Sequence, residues 1–170
     1  QSATGHKRKN INPLFSVFPD AKIIQTHRDP VKVLPSFCSM IAHSWGIFSD
    51  KVDPMEIGKI WSAKQEQMVN RSMDYRTRAG DNNFIDISYY DLISNPIREI
   101  KKTYEFLKRP LTSDALNRMT AWMDNNPQHK HGRHKYSLHD FGLTKNDVED
   151  KFGKYRKRFK IRTEEHIENQ

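Results

Sequence analysis

The alternation of apolar and polar positions divides the chain into two short strands and a series of helices. Ala21–Thr26 carries Ile23 and Ile24 as a β-branched pair between Pro19-Asp20 and His27-Arg28-Asp29-Pro30, which predicts a strand. Phe84-Ile85-Asp86-Ile87-Ser88 alternates apolar with polar and predicts a second. After the first, Asp29 suits an N-cap and Pro30 the opening helical position, and the run VLPSFCSMIAHSWG predicts a helix to about Gly46. That helix is apolar on much of its circumference, so Cys38, Met40 and Ile41 are expected in the core, with His43 and Trp45 at its boundary. Asp53-Pro54 opens a longer helix from Met55 to about Arg78. Its buried stripe reads as Ile57, Ile60, Trp61, Met68 and Met73, leaving Lys59, Lys64, Glu66 and Arg71 to water.

The flanking segments read more simply. Asn12-Pro13 opens an amphipathic turn or short helix that offers Leu14, Phe15, Val17 and Phe18 for burial. Ser94-Asn95-Pro96 opens a helix through Leu107, with Ile97, Ile100 and Tyr104 at helical spacing. Thr112 caps a helix bearing Leu116, Met119, Trp122 and Met123, which ends at Asn125-Asn126-Pro127. Thr144 caps a closing helix with a docking stripe of Val148, Phe152, Tyr155 and Phe159; its basic run from Lys151 to Lys160 reads as a solvated face. Residues 162–170 read as a frayed end.

Composition narrows the class. A length of 170 residues predicts one domain, and three Trp, six Tyr and nine Phe exclude disorder. A formal net charge of +8 points to an anionic partner: nucleic acid, an anionic membrane or a polyanionic small molecule. The single Cys38 excludes an internal disulfide and a cysteine-built metal site, and fits a reducing, cytoplasmic setting. No apolar run approaches a membrane span. His129, His131 and His134 surround Gly132, but their spacing matches neither a zincin helix nor a finger, and no cysteine or acidic residue is close; no metal is expected. A flexible loop whose Lys130, Arg133 and Lys135 close over phosphates suits that tract better.

The chemistry concentrates between Phe18 and Phe37. A strand running into a helix N-terminus makes an anion site, and Arg28 adds a planar fork for phosphate oxygens. Ser36 lies eight residues on and reaches the same phosphate only if the segment begins as a loop and the helix restarts near Pro35. His6 stands in a basic stretch; it is either a solvated histidine or a base able to take a proton near neutral pH.

FPDAKIIQTHRDPVKVLPSFCSM resembles the 3′-phosphate-binding segment of sulfotransferases that use 3′-phosphoadenosine 5′-phosphosulfate, in particular the bacterial-type family. ISYYDLISNPIREIKKTYEFL is similar to the tyrosine–acidic–leucine turn that follows a core strand in that family, and the stretch from His131 to Phe159 resembles its C-terminal section. The resemblance implies an α/β fold: a P-loop-like parallel sheet flanked by helices, helix-rich and incomplete in this chain, with residues 1–170 as a single sulfotransferase-like domain. It implies transfer of a sulfonate group from 3′-phosphoadenosine 5′-phosphosulfate to a hydroxyl or amine on a small molecule, glycan or lipid, without a metal and with no nucleic-acid partner. In that scheme Arg28 and Ser36 anchor the 3′-phosphate, Tyr89 packs near the adenine, Gly132 and Arg133 join the phosphate site, and His6 deprotonates the acceptor. Read from the residues alone, Tyr89 serves equally as an anchor at a strand end. The family's glycine-rich phosphosulfate loop has no counterpart, since no GxxxxGK occurs. The chain is therefore expected to be the C-terminal part of a longer one and inactive alone. The competing expectation is a non-enzymatic basic module for nucleic acid or another polyanion, which needs a contiguous cationic face.

Overall fold

The computed structural model of the protein describes residues 13–127 and 136–163. In chain order the elements are α1 (Pro13–Val17), β1 (Ile23–His27), α2 (Pro30–Gly46), α3 (Pro54–Ala79), β2 (Phe84–Ser88), α4 (Tyr89–Ser94), α5 (Pro96–Phe106), α6 (Ser113–Asn125), a 3₁₀ turn (His139–Phe141) and α7 (Lys145–Phe159). Most helix starts are set by a single oxygen. Asp29, Asp53, Asn95, Thr112 and Thr144 each accept a backbone N–H from the first turn of the helix they precede, and proline follows three of them. Thr144 and Asp147 complete a reciprocal capping box, and the Thr144 hydroxyl and N–H hold the Asp147 carboxyl below its usual range.

β1 and β2 pair in parallel, in the register Ile23↔Phe84 to His27↔Ser88. The main apolar core lies to one side of them. Leu34 and Cys38 of α2, Ile57 of α3, Leu138, Phe141 and Leu143 around the 3₁₀ turn, and Val148 and Phe152 of α7 form one cluster. Ile24 stays 47% exposed. The arrangement is a helix-rich α/β unit with a two-stranded parallel sheet among the described residues.

Several expectations need correction. Met40 and Met68 are exposed, not core, and Leu14, Val17 and Phe18 are exposed as well, not buried. On α3 inward positions follow a four-residue step through Ile57, Trp61, Gln65, Val69 and Met73, with Arg76 three residues further on. Met68 is one residue, or about 100°, off that line. α2 does not restart near Pro35; it is unbroken from Pro30 to Gly46. Pro35 forfeits only the bond its missing N–H would have made one turn back, and its ring is buried against the core side. The basic run of α7 is not simply solvated. Lys151 Nζ pairs with Glu66 at 3.2 Å, and Arg158 Nη1 donates to Met73 O at 3.0 Å and Thr77 Oγ1 at 2.7 Å, so these cations fasten α7 to α3. Arg162 is likewise not frayed: its Nη2 donates to Asp91 Oδ1 at 2.5 Å.

Cys38 has no exposed surface, and burial pushes its thiol up to about 11. A thiol-specific reagent at pH 8 is expected to leave native protein unlabelled and to react once denaturant unfolds it; rapid labelling of the native chain contradicts this packing.

Candidate functional site

Four side chains converge beneath the C-terminal ends of the two strands. His27, the last residue of β1, is 4% exposed. Its Nε2 lies 2.8 Å from Asp86 Oδ1 and its Nδ1 2.8 Å from the Tyr155 hydroxyl. Asp86 is ionised and can only accept, so Nε2 carries a hydrogen and donates it to Asp86. Arg76 grips both oxygens of Asp86, at 2.6 and 2.8 Å, and its Nε donates to Asp81 at 2.5 Å. Its guanidinium lies over the Phe84 and Phe159 rings, 4.5 and 4.9 Å from their centroids. Burial alone would push the Asp86 carboxyl up; the hydrogen bonds from Arg76 and His27 outweigh it and hold the group well below the usual carboxylate range. Burial, then the Asp86 charge, pushes the Tyr155 phenol up to about 12, so it keeps its hydrogen. The network joins β1, β2, α3 and α7 and sets the floor under the strand ends.

One residue further on lie two of the candidate site residues, Arg28 and Tyr89. Since His27 pairs with Ser88, Arg28 and Tyr89 each stand one position past the paired ends. The Arg28 guanidinium lies over the Tyr89 ring, 4.2 Å from its centroid. Both line a cavity of about 330 Å³ with Thr26, His27, Pro30 and Val33 from the strand end and α2, Gln65 and Val69 from α3, and Phe152 and Tyr155 from α7. Its walls are mostly apolar, and among the described residues that line it Arg28 is the one of fixed positive charge.

The helix N-terminus contributes less than expected. Asp29, 2% exposed, turns its own carboxylate on the Val31 N–H at 3.1 Å, with Arg156 3.7 Å away. The donor end of α2 thus already carries an anion, and attraction for another falls to Arg28. Ser36 is half-buried in the second turn of α2, about 9 Å along the helix axis from Pro30, and is not among the cavity's lining residues. A second hollow of about 320 Å³ lies beside Asp86, Ser88 and Asp91, walled by Phe159 and closed by Arg162.

A family model described as "Sulfotransferase family" matches residues 6–114. The chain belongs to the sulfotransferase family. Two solved sulfotransferases share its fold. STF9 from Mycobacterium avium superposes with a TM-score of 0.80 at 30% identity, over 88% of this chain and 38% of that one. STF1 from Mycobacterium tuberculosis H37Rv gives 0.69 at 28% identity, over 83% and 35%. The chain therefore spans little more than a third of the length of either sulfotransferase. No curated protein matches it.

Within this sulfotransferase family member, Arg28 and Tyr89 come together at the sheet end, with Ser36 further along α2. His6, Gly132 and Arg133 lie outside the described residues, as do His129, His131 and His134. Among the described residues, no cluster of His, Cys, Asp or Glu suits a metal ion, and no helix is long and apolar enough to cross a membrane. Sequence reasoning missed His27, Asp86, Arg76 and Gln65. A signal existed for two: Gln65 lies on the four-residue step of α3 and Arg76 about one turn past Met73, both polar where the inward face asks for apolar residues. Nothing local marks His27 and Asp86, whose partners come from distant segments.

Proposed function

We propose that these residues form the nucleotide-holding half of a sulfonate-transfer site. The donor is 3′-phosphoadenosine 5′-phosphosulfate and the acceptor a hydroxyl or amine on a small molecule, glycan or lipid, in the cytoplasm. The observation that carries the reading is Arg28: a guanidinium at the C-terminal end of a parallel strand pair, lying over the Tyr89 ring where both line a mostly apolar cavity. Arg28 holds the 3′-phosphate, Tyr89 lies beside it at the nucleotide end, and Gly132 and Arg133 complete the phosphate contacts; Ser36, set back along an unbroken α2, is left out of that contact. His6 takes the acceptor's proton as its oxygen or nitrogen bonds to sulfur, while the bond from sulfur to the bridging phosphate oxygen breaks and adenosine 3′,5′-bisphosphate leaves. Such an in-line displacement depends on positioning and charge stabilisation and needs no metal. The family's glycine-rich loop for the 5′-phosphosulfate is not found in this sequence, so the chain by itself is expected to bind the bisphosphate without turning over donor.

Binding decides the matter. Calorimetric titration with adenosine 3′,5′-bisphosphate is expected to saturate, and Arg28→Ala to weaken it about ten- to a hundredfold, the worth of a charge-assisted hydrogen bond to phosphate. Oligonucleotide binding that ignores Arg28 and collapses steeply with salt would favour the basic-module alternative. That alternative is weakened by Lys151, Arg156 and Arg158, which are engaged with this chain's own acids and carbonyls.

A further inference from the structure

We infer that Tyr89 is a positioning residue for Arg28, setting the plane of the guanidinium that receives the 3′-phosphate; this rests on the reading of Arg28 above. The parallel register brings the two backbone positions side by side. With His27 paired to Ser88, the next residues leave adjacent strand ends on the same side, and the Tyr89 ring meets the Arg28 guanidinium at 4.2 Å. The ring is itself held. Ser88 caps α4 by accepting the Asp91 N–H, and Tyr89 packs edge-on against Tyr90, centroids 5.6 Å apart at 80°. Tyr90 is buried beneath Arg162, whose guanidinium lies 5.6 Å from its ring and pairs with Asp91.

Two directions of attraction separate cleanly in this arrangement. An aromatic face attracts a guanidinium through its π-surface, while phosphate oxygens are bound in the guanidinium plane by its N–H groups. A ring beneath the guanidinium carbon therefore restrains the fork through its face, leaving in-plane N–H groups for phosphate. An arginine carries several rotatable bonds, and fixing them before binding removes an ordering cost that the ligand would otherwise meet. The same contact covers one face of Tyr89, so that face is not available to a purine.

The test compares adenosine 3′,5′-bisphosphate with adenosine 5′-monophosphate, which lacks the 3′-phosphate, in calorimetric titrations of the chain. Tyr89→Leu is expected to weaken bisphosphate binding about three- to thirtyfold and monophosphate binding less than about twofold. Tyr89→Phe, which keeps the π-face, restores the native value. In an Arg28→Ala background Tyr89→Leu adds nothing, because the residue it acts through is gone. Should Tyr89→Leu lower the melting temperature, Tyr89→Met of similar volume carries the same comparison. Equal loss on both nucleotides means that Tyr89 acts on the base, and overturns the inference while leaving Arg28's role standing. Failure of Tyr89→Phe to restore binding overturns it too, since the hydroxyl would then be what matters. If Arg28→Ala fails to reduce the preference for the 3′-phosphorylated nucleotide, the donor reading itself falls, and this inference with it.

Discussion

Replacing Asp86 with alanine is expected to cost the fold about 3 kcal/mol, the low end for removing one partner of a buried ion pair. The cost arises on the other partner. Arg76 is 2% exposed and loses a bidentate carboxylate, while retaining Asp81 and Gln25. His27 at the same time loses the acceptor on Nε2 and keeps only Tyr155. Asp86 is itself 38% exposed, which is why the low end applies. Urea unfolding followed by far-UV circular dichroism measures the difference, and a change within about 0.5 kcal/mol, the range of ordinary surface substitutions, means that the network is dispensable. The sign of the acid response follows from the same carboxyl. Its pKa is depressed in the folded chain, so its stabilisation is fully present above the unfolded value of about 3.9 and is lost progressively as pH falls from there through the lower folded value. Asp86→Asn should therefore flatten the decline in stability below about pH 4.

Gly58→Ala is the second large effect. In an exposed helix interior this exchange is worth about 1 kcal/mol in favour of alanine. Here the new Cβ would lie 2.0 Å from the Phe141 carbonyl oxygen and 2.9 Å from its Cβ. The obstacle is the backbone of the 3₁₀ turn, which cannot swing aside as a side-chain tip does. Overpacking of this kind costs about 3 kcal/mol or more, so the clash outweighs the propensity gain and a net loss of about 2 kcal/mol is expected. Gly46→Ala is the control: nothing lies within 4 Å of its added methyl, and it should be neutral or stabilising. Thermal unfolding of the two variants side by side reads the contrast, and equal melting temperatures would mean that α3 and the turn do not approach as closely as described.

What the sequence made legible is what is decided within a few residues. The caps at Asp29, Asp53, Asn95, Thr112 and Thr144 are local hydrogen bonds, and each forms where its residue type and the following pattern place it. The α7 stripe was readable because Val148, Phe152 and Tyr155 all face one buried surface. Met68 misled because a long helix with a weak apolar stripe admits two phases, and only the packing of α2 and α7 selects the one through Gln65 and Val69. Pro35 misled for another reason: a proline's effect was weighed without the burial that offsets it. At the site, Arg28 and Tyr89 could each be singled out from neighbouring residues. Their contact could not, because it depends on a parallel register between segments that share no local signal.

That register also bears on how the molecule comes together. A tight turn cannot join parallel strands, so Ile23 meets Phe84 only after all of α2 and α3 has been laid down between them. The entropy of closing so long a loop is lost before the first ladder bond forms, and pairing of this kind is slow. Contact between α2 and α3 shortens the gap first, since each helix nucleates from its own neighbours. The strand ends bearing Arg28 and Tyr89 are therefore expected among the last parts to assemble, and a nucleotide site built on them would form only then.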